Sequence, residues 1–171
     1  AFEPPVIDFN LPHGTHDDAP HRDFPDLPEY GMWMSSVYDA WIARPEHRHS
    51  VRILEDVIAL SSGVRSSVET LGLAPPTSVV IESDGGIEGV DTLRAVEEGA
   101  SALGGHVSSS TFDELLSHQK LRHRQDVRGS LANECQRCPL VEVCGGGYLP
   151  HRFSAERGYR NPSVYCADLE Y

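Results

Sequence analysis

Cys135-Gln136-Arg137-Cys138-Pro139-Leu140-Val141-Glu142-Val143-Cys144-Gly145-Gly146-Gly147 is the stretch on which the fold reading turns. Cys166 follows at a distance, and no cysteine occurs in the first 134 residues. A Cys-x-x-Cys turn lets two thiolates face one inorganic centre, and four thiolates complete either a four-thiolate zinc site or one [4Fe–4S] cube. Structural zinc sites usually bring two close pairs. Here Cys135 and Cys138 form the single close pair, while Cys144 and Cys166 stand alone. The three glycines let backbone approach a cluster and aim N–H groups at sulfur. The spacing therefore favours an Fe–S cube over zinc. Both are favoured over disulfides, which in small secreted domains are spread through the chain.

Upstream, Thr111-Phe112-Asp113-Glu114 starts a helix through Leu116, and residues 118–129 are polar and read as a possible continuation. Residues 99–110 are small and read as loop. Val79-Val80-Ile81, the tight turn Asp84-Gly85-Gly86 and the run from Ile87 to Val90 predict a β-hairpin. Asp84 is a turn residue in this reading. Pro75 and Pro76 mark a boundary. Before it, Ser66-Ser67-Val68-Glu69 offers a capping box for a short helix ending near Gly72. Pro45 opens a helix whose apolar face is Val51, Leu54, Val57 and Ile58, and Gly63 stops it. Trp33, Val37, Tyr38, Trp41 and Ile42 recur at helical spacing from Met32 to Ala43, an aromatic stripe expected to be core. Val6-Ile7-Asp8-Phe9 reads as a strand. The proline-rich loop from Gly14 to Glu29, with His13 just before it, carries His16, His21, Asp17 and Asp18. Their spacing fits no compact ligand pattern, so a solvated loop is favoured over a metal site.

The 171 residues suffice for one domain or a domain and part of another, and 39% apolar with 23% charged residues is a globular balance. No run reaches the roughly 18–20 apolar residues of a membrane span. The net charge of −12, from 26 acidic and 14 basic residues, repels phosphate backbones and argues against nucleic acid and acidic membranes as partners. Arginine supplies the positive charge almost alone, Lys120 being the one lysine. The chain starts at Ala1 with no signal-like segment, so a processed protein or a piece of a longer one is expected, located in the cytoplasm.

The cysteine block, with Cys144-Gly145-Gly146-Gly147-Tyr148-Leu149-Pro150-His151-Arg152 and Asn161-Pro162-Ser163-Val164-Tyr165-Cys166, resembles the C-terminal SPASM or twitch domain of radical SAM peptide maturases. It is most similar to the FxsB-type branch, whose cyclophane-forming relatives join an aromatic ring carbon to an unactivated side-chain carbon. The resemblance covers residues 77–171 well and 1–76 more weakly. It implies an α/β fold in two parts. Residues 1–76 would be the end of a radical SAM barrel, with a late barrel strand at Val6 to His13 and bridging helices. Residues 77–171 would be a hairpin-plus-loop iron–sulfur domain.

The resemblance also assigns roles. Cys135, Cys138, Cys144 and Cys166 match one complete auxiliary [4Fe–4S] ligand set. A second set would need cysteines where this chain has Val90 and Tyr148, so one cluster is expected. Asp91 matches the acidic residue that accepts the substrate proton in the sulfatase-maturing branch, although by itself it reads first as a strand-end aspartate. His151 and Arg152 are candidates to donate to cluster sulfur or peptide carbonyls, or to cap the fold. The C-x3-C-x2-C motif of a SAM-cleaving cluster is missing. S-adenosylmethionine would therefore be bound by an N-terminal radical SAM region outside this chain, with a ribosomal precursor peptide as substrate. The competing reading is a module stabilised by zinc on the same four cysteines, which binds a peptide or protein without catalysis.

Overall fold

The computed structural model describes residues 4–44, 49–66, 68–75, 78–118, 121 and 125–171. Within them the chain mixes helices with two small sheets. Strand β1 (Val6–Ile7) lies parallel to β2 (Ser50–Val51), with Val6 opposite Ser50 and Ile7 opposite Val51. The expected strand at Val6–Phe9 is thus two residues long. Between the two strands runs helix α1 (Glu29–Ile42), and β2 passes directly into α2 (Arg52–Ser61). Pro45 lies outside the described residues, and α2 starts later than that proline suggests. Gly63, at φ +79°, ends α2 as expected: its N–H and that of Val64 bond back to the Leu60 and Ala59 carbonyls.

The aromatic stripe of α1 is not core. Met32, Trp33, Tyr38 and Ile42 are 42%, 50%, 37% and 46% exposed, and Gly31 is the buried residue. The physical reason is the contact the helix makes. It packs through its first turn on the C-terminal helix, and Gly31 leaves room there for the Asp168 carbonyl. Its start is also set from outside. Pro28 at the N-cap has no capping side chain, and Asp168 Oδ1 instead accepts from the Tyr30 and Gly31 N–H groups at 3.0 and 3.2 Å.

The expected helix after Ser66 does not form. Ser66 Oγ bonds the Val68 N–H and carbonyl in a local turn; Ser67 lies outside the described residues. Of the two prolines expected to mark a boundary, Pro76 likewise lies outside the described residues. The hairpin is present as β3 (Val80–Ile81) against β4 (Gly86–Glu88), with Ile81 opposite Ile87. Asp84 Oδ1 accepts from the Gly86 N–H at 2.8 Å, the turn role expected of it. Residues 99–110 are not simply loop: Ala102–His106 forms β5, antiparallel to β4. The sheet register shifts beside Ile87, and Gly104 at φ +69° supplies the irregularity. Helix α3 (Phe112–Leu116) carries a full capping box between Thr111 and Glu114. Most of the expected continuation between 118 and 125 lies outside the described residues.

Short helices α4 (Val127–Ser130), α5 (Asn133–Gln136), α6 (Val141–Cys144) and α7 (Cys166–Glu170) build the tail, with a 3-10 turn at Leu149–Arg152. Two apolar clusters result. One joins Ile87, Leu103, Leu115 and Leu121 beneath the sheet. The other joins Leu131, Ala132, Cys135 and Val141, with Leu73 from the first part of the chain against it.

Candidate functional site

The four cysteines hang on the short helices of the tail. Cys135 is buried in α5, Cys138 lies just beyond it, Cys144 ends α6 and the exposed Cys166 opens α7. None is paired in a disulfide. The glycines after Cys144 all have positive φ, at +62°, +82° and +73°, which lets the chain double back on the thiol. A Cβ at Gly145 would collide with the Gly72 carbonyl, and one at Gly146 would stand 2.6 Å from Leu131 Cδ2. Two backbone groups address sulfur: Leu140 N–H at 3.4 Å from Cys138 Sγ, and the Gly146 N–H on Cys144.

Burial pushes the Cys144 thiol up to about 11, and the same cause raises Cys135 and Cys166. Each of the six pairs among the four thiols adds mutual repulsion between their ionised forms. The sulfurs therefore share one neighbourhood. Among the described residues, no three or more His, Cys, Asp or Glu side chains are drawn close enough to hold a metal ion as they stand. Arg152 is the cation beside them. The residue is 3% exposed, its guanidinium donates to the Tyr159 and Ser130 carbonyls, and its charge offsets part of the rise of the Cys135 thiol. Of the two roles open to Arg152, it caps backbone.

The histidines and aspartates of the N-terminal loop do not converge. His16 Nε2 reaches the Pro162 carbonyl at 2.8 Å, Asp17 Oδ2 accepts from the Ala155 N–H, and His21 sits by Asp23. The loop is exposed, yet it is strapped across the tail rather than freely solvated. The strap's anchor was missed in the sequence. Arg22 binds both carboxylate oxygens of buried Asp168, 146 residues away. Only the excess of charge over local partners hints at it.

A cavity of about 300 Å³ opens where residues near the N-terminus meet the tail. Asp8, His13, Arg52, Thr92, Tyr148 and His151 are among its walls. Of the two positions lacking cysteine, Tyr148 lines the cavity and bonds Thr92 Oγ1 through its hydroxyl, while Val90 precedes the 3-10 turn Asp91–Ala95 that carries Thr92. Asp91 is exposed at the start of that turn, beside Thr92, and is not one of the cavity's lining residues. His151 is 3% exposed, stacked edge-on between Tyr148 and Tyr165. Burial, with His13 nearby, lowers it to about 4, so its ring is neutral at pH 7.

No family model matches the sequence, and no curated protein does. Solved structures do resemble the fold. Native anSMEcpe with bound AdoMet superposes with a TM-score of 0.72 at 21% identity over 91% of this chain. Native anSMEcpe with bound AdoMet and Kp18Cys peptide gives 0.71 at 21% identity over 91%. This chain spans 42% and 43% of those two structures, less than half of their length. The likeness is one of fold.

Proposed function

We propose that this chain is the SPASM-type part of a radical SAM peptide maturase, with Cys135, Cys138, Cys144 and Cys166 holding one [4Fe–4S] cluster. The observation that carries the reading is the shared neighbourhood of four thiols, three of them raised by burial and mutual repulsion. Without a metal these are neutral thiols; as cluster ligands they would be ionised, and the iron would supply the opposing charge. The likeness to anSMEcpe supports the reading, since that protein binds AdoMet and, in two structures, a peptide. A fully thiolate-ligated cluster supplies one-electron transfer and offers substrate no open iron. Around it the chain supplies the Leu140 and Gly146 N–H groups on sulfur and the Arg152 charge, which tune the centre.

On this proposal residues 1–76 end a barrel, β1 is its late strand, and residues 77–171 are the cluster domain. AdoMet and its cleaving cluster belong to an N-terminal region, and the partner is a ribosomal precursor peptide, as in the FxsB-type branch. The compartment is the cytoplasm. Asp91, next in sequence to the cavity-lining Thr92, is the proton acceptor. Among the described residues, no helix is long and apolar enough to cross a membrane.

Iron, sulfide and zinc analysis of anaerobically purified protein tests the assignment. Equal iron and sulfide with visible charge-transfer absorbance is expected. One zinc per chain and no iron would instead establish the non-catalytic binding module. Cys138→Ala should lose the iron and destabilise residues 133–170 by several kcal/mol, because metal binding there is folding free energy. A variant that keeps its iron and its melting curve would refute this ligand set. Asp91→Asn should abolish turnover of the intact enzyme while leaving iron content unchanged.

A further inference from the structure

Three of the four thiols, Cys135, Cys138 and Cys144, belong to one block of short turns that sets their spacing. Cys166 stands apart, delivered by an arm of residues 153–165, and it is the exposed thiol of the four. On its inner side the arm meets the backbone that follows Cys144. The Val164 N–H donates to the His151 carbonyl at 2.9 Å, and a Cβ on Gly147 would stand 3.1 Å from the Ser163 Cβ. On its other side the arm is gripped by the N-terminal strap. The His16 N–H donates to the Phe153 carbonyl at 2.9 Å, and His16 Nε2 lies 2.8 Å from the Pro162 carbonyl. The Ala155 N–H donates to Asp17 Oδ2 at 2.7 Å, and the Tyr165 hydroxyl donates to the Pro12 carbonyl at 2.8 Å.

Arg22 makes the strap contacts that bracket the thiol. Its guanidinium binds both carboxylate oxygens of Asp168, two residues after Cys166. It also reaches the Val164 carbonyl, two residues before Cys166, at 3.5 Å, and its centre lies 5.5 Å from the middle of the Tyr165 ring. A planar, forked cation that holds groups on both sides of one residue fixes the course of the chain between them. The Asp168 side chain is 2% exposed, so losing Arg22 strips a buried carboxylate of its counter-charge.

We infer that Arg22 is a positioning residue for the metal centre: by clamping the chain on either side of Cys166 it sets where the fourth thiolate ligand stands. It acts through Asp168 and Val164 rather than on sulfur. The inference rests on the four-thiolate reading, for iron and zinc alike, and not on the identity of the substrate. The competing role for Arg22 is a general fastener, one that steadies the tail to the same degree whether or not Cys166 binds metal.

The test uses the full chain, purified without oxygen, and the metal it carries. Release of that metal to a chelator is the readout. Arg22→Ala should speed release about ten- to a hundredfold, the scale on which groups that orient a ligand act. Arg22→Lys, which keeps the charge without the forked grip, should fall between wild type and Arg22→Ala. In Cys166→Ala the fourth thiolate is gone, so adding Arg22→Ala should change release by less than about twofold. Equal acceleration in both backgrounds would make Arg22 a general fastener and overturn the inference, as would wild-type release from Arg22→Ala. A reciprocal reading needs no variant to fold. Stripping the metal from the wild-type chain should speed amide exchange at His16, while β4 and β5 keep their protection. Unchanged exchange at His16 would also overturn the inference. The metal content of the wild-type protein reports separately on the proposed function. Zinc in place of iron would refute the cluster and leave the release experiment to decide the role of Arg22, and a chain that binds neither metal would sink both.

Discussion

At Gly145 the backbone sits at φ +62°, and a methyl group would run into the Gly72 carbonyl. Gly145→Ala should therefore cost more than about 2 kcal/mol, read from the urea midpoint, since strain and collision add. The same substitution at Gly158, also at positive φ but open on all sides, should cost less. His151 gives a pH signature of its own. Its folded pKa of about 4 lies below the ordinary 6.5, so the unfolded chain takes up the proton first. Its contribution to stability is complete above about pH 6.5 and is lost as pH falls toward 4. Melting temperature against pH should show that fall, reduced in His151→Phe. The neighbouring Cys and Gly residues were legible as a motif, because thiolate spacing and turn geometry are local. The orphaned nitrogen of His151 was not, because it depends on how Tyr148 and Tyr165 pack around the ring.

Helix starts show how far local signals reach. Thr111-x-x-Glu114 makes a capping box, while the same pattern at Ser66-x-x-Glu69 makes a turn. Packing separates the two cases: α3 buries Leu115 in the apolar cluster beneath the sheet, and that contact holds the turn in place. Helix α1 has no local cap and depends on Asp168 for its start. Asp168→Ala should remove both N–H partners and strand a largely buried Arg22 charge, costing about 3 kcal/mol, as measured by denaturant unfolding. A loss below about 1 kcal/mol would mean that the strap is a surface ornament. Strand β5 escaped the sequence reading because Gly104 and Gly105 carry no β signal. It exists because β4 offers it an edge.

Across the whole molecule, the ends of the chain are tied together. Arg22 meets Asp168, the Gly72 N–H meets the Val143 carbonyl, and the Tyr165 hydroxyl meets the Pro12 carbonyl. The hairpin has its own apolar cluster. Loosening the cysteine segment should thus be felt in α1 before the sheet. In Cys138→Ala, amide hydrogen exchange should accelerate in α1 and in residues 133–170, with β4 and β5 holding their protection. Equal acceleration in the sheet would contradict this division. The exposed apolar side chains of α1 and α2, including Trp33, Ile42 and Ile58, are left uncovered by this chain.

Taken alone, the sequence determined the close pair Cys135 and Cys138, the glycine-rich return after Cys144, the hairpin and the stop of α2. Each depends on residues within a few positions of one another, where spacing and allowed backbone angles decide the outcome. Tertiary structure decided which face of α1 is buried, that the N-terminal loop is a strap, and that a neutral histidine borders a cavity. Those come from contacts between residues more than a hundred positions apart, and the energy of such a contact is written in neither partner's local sequence.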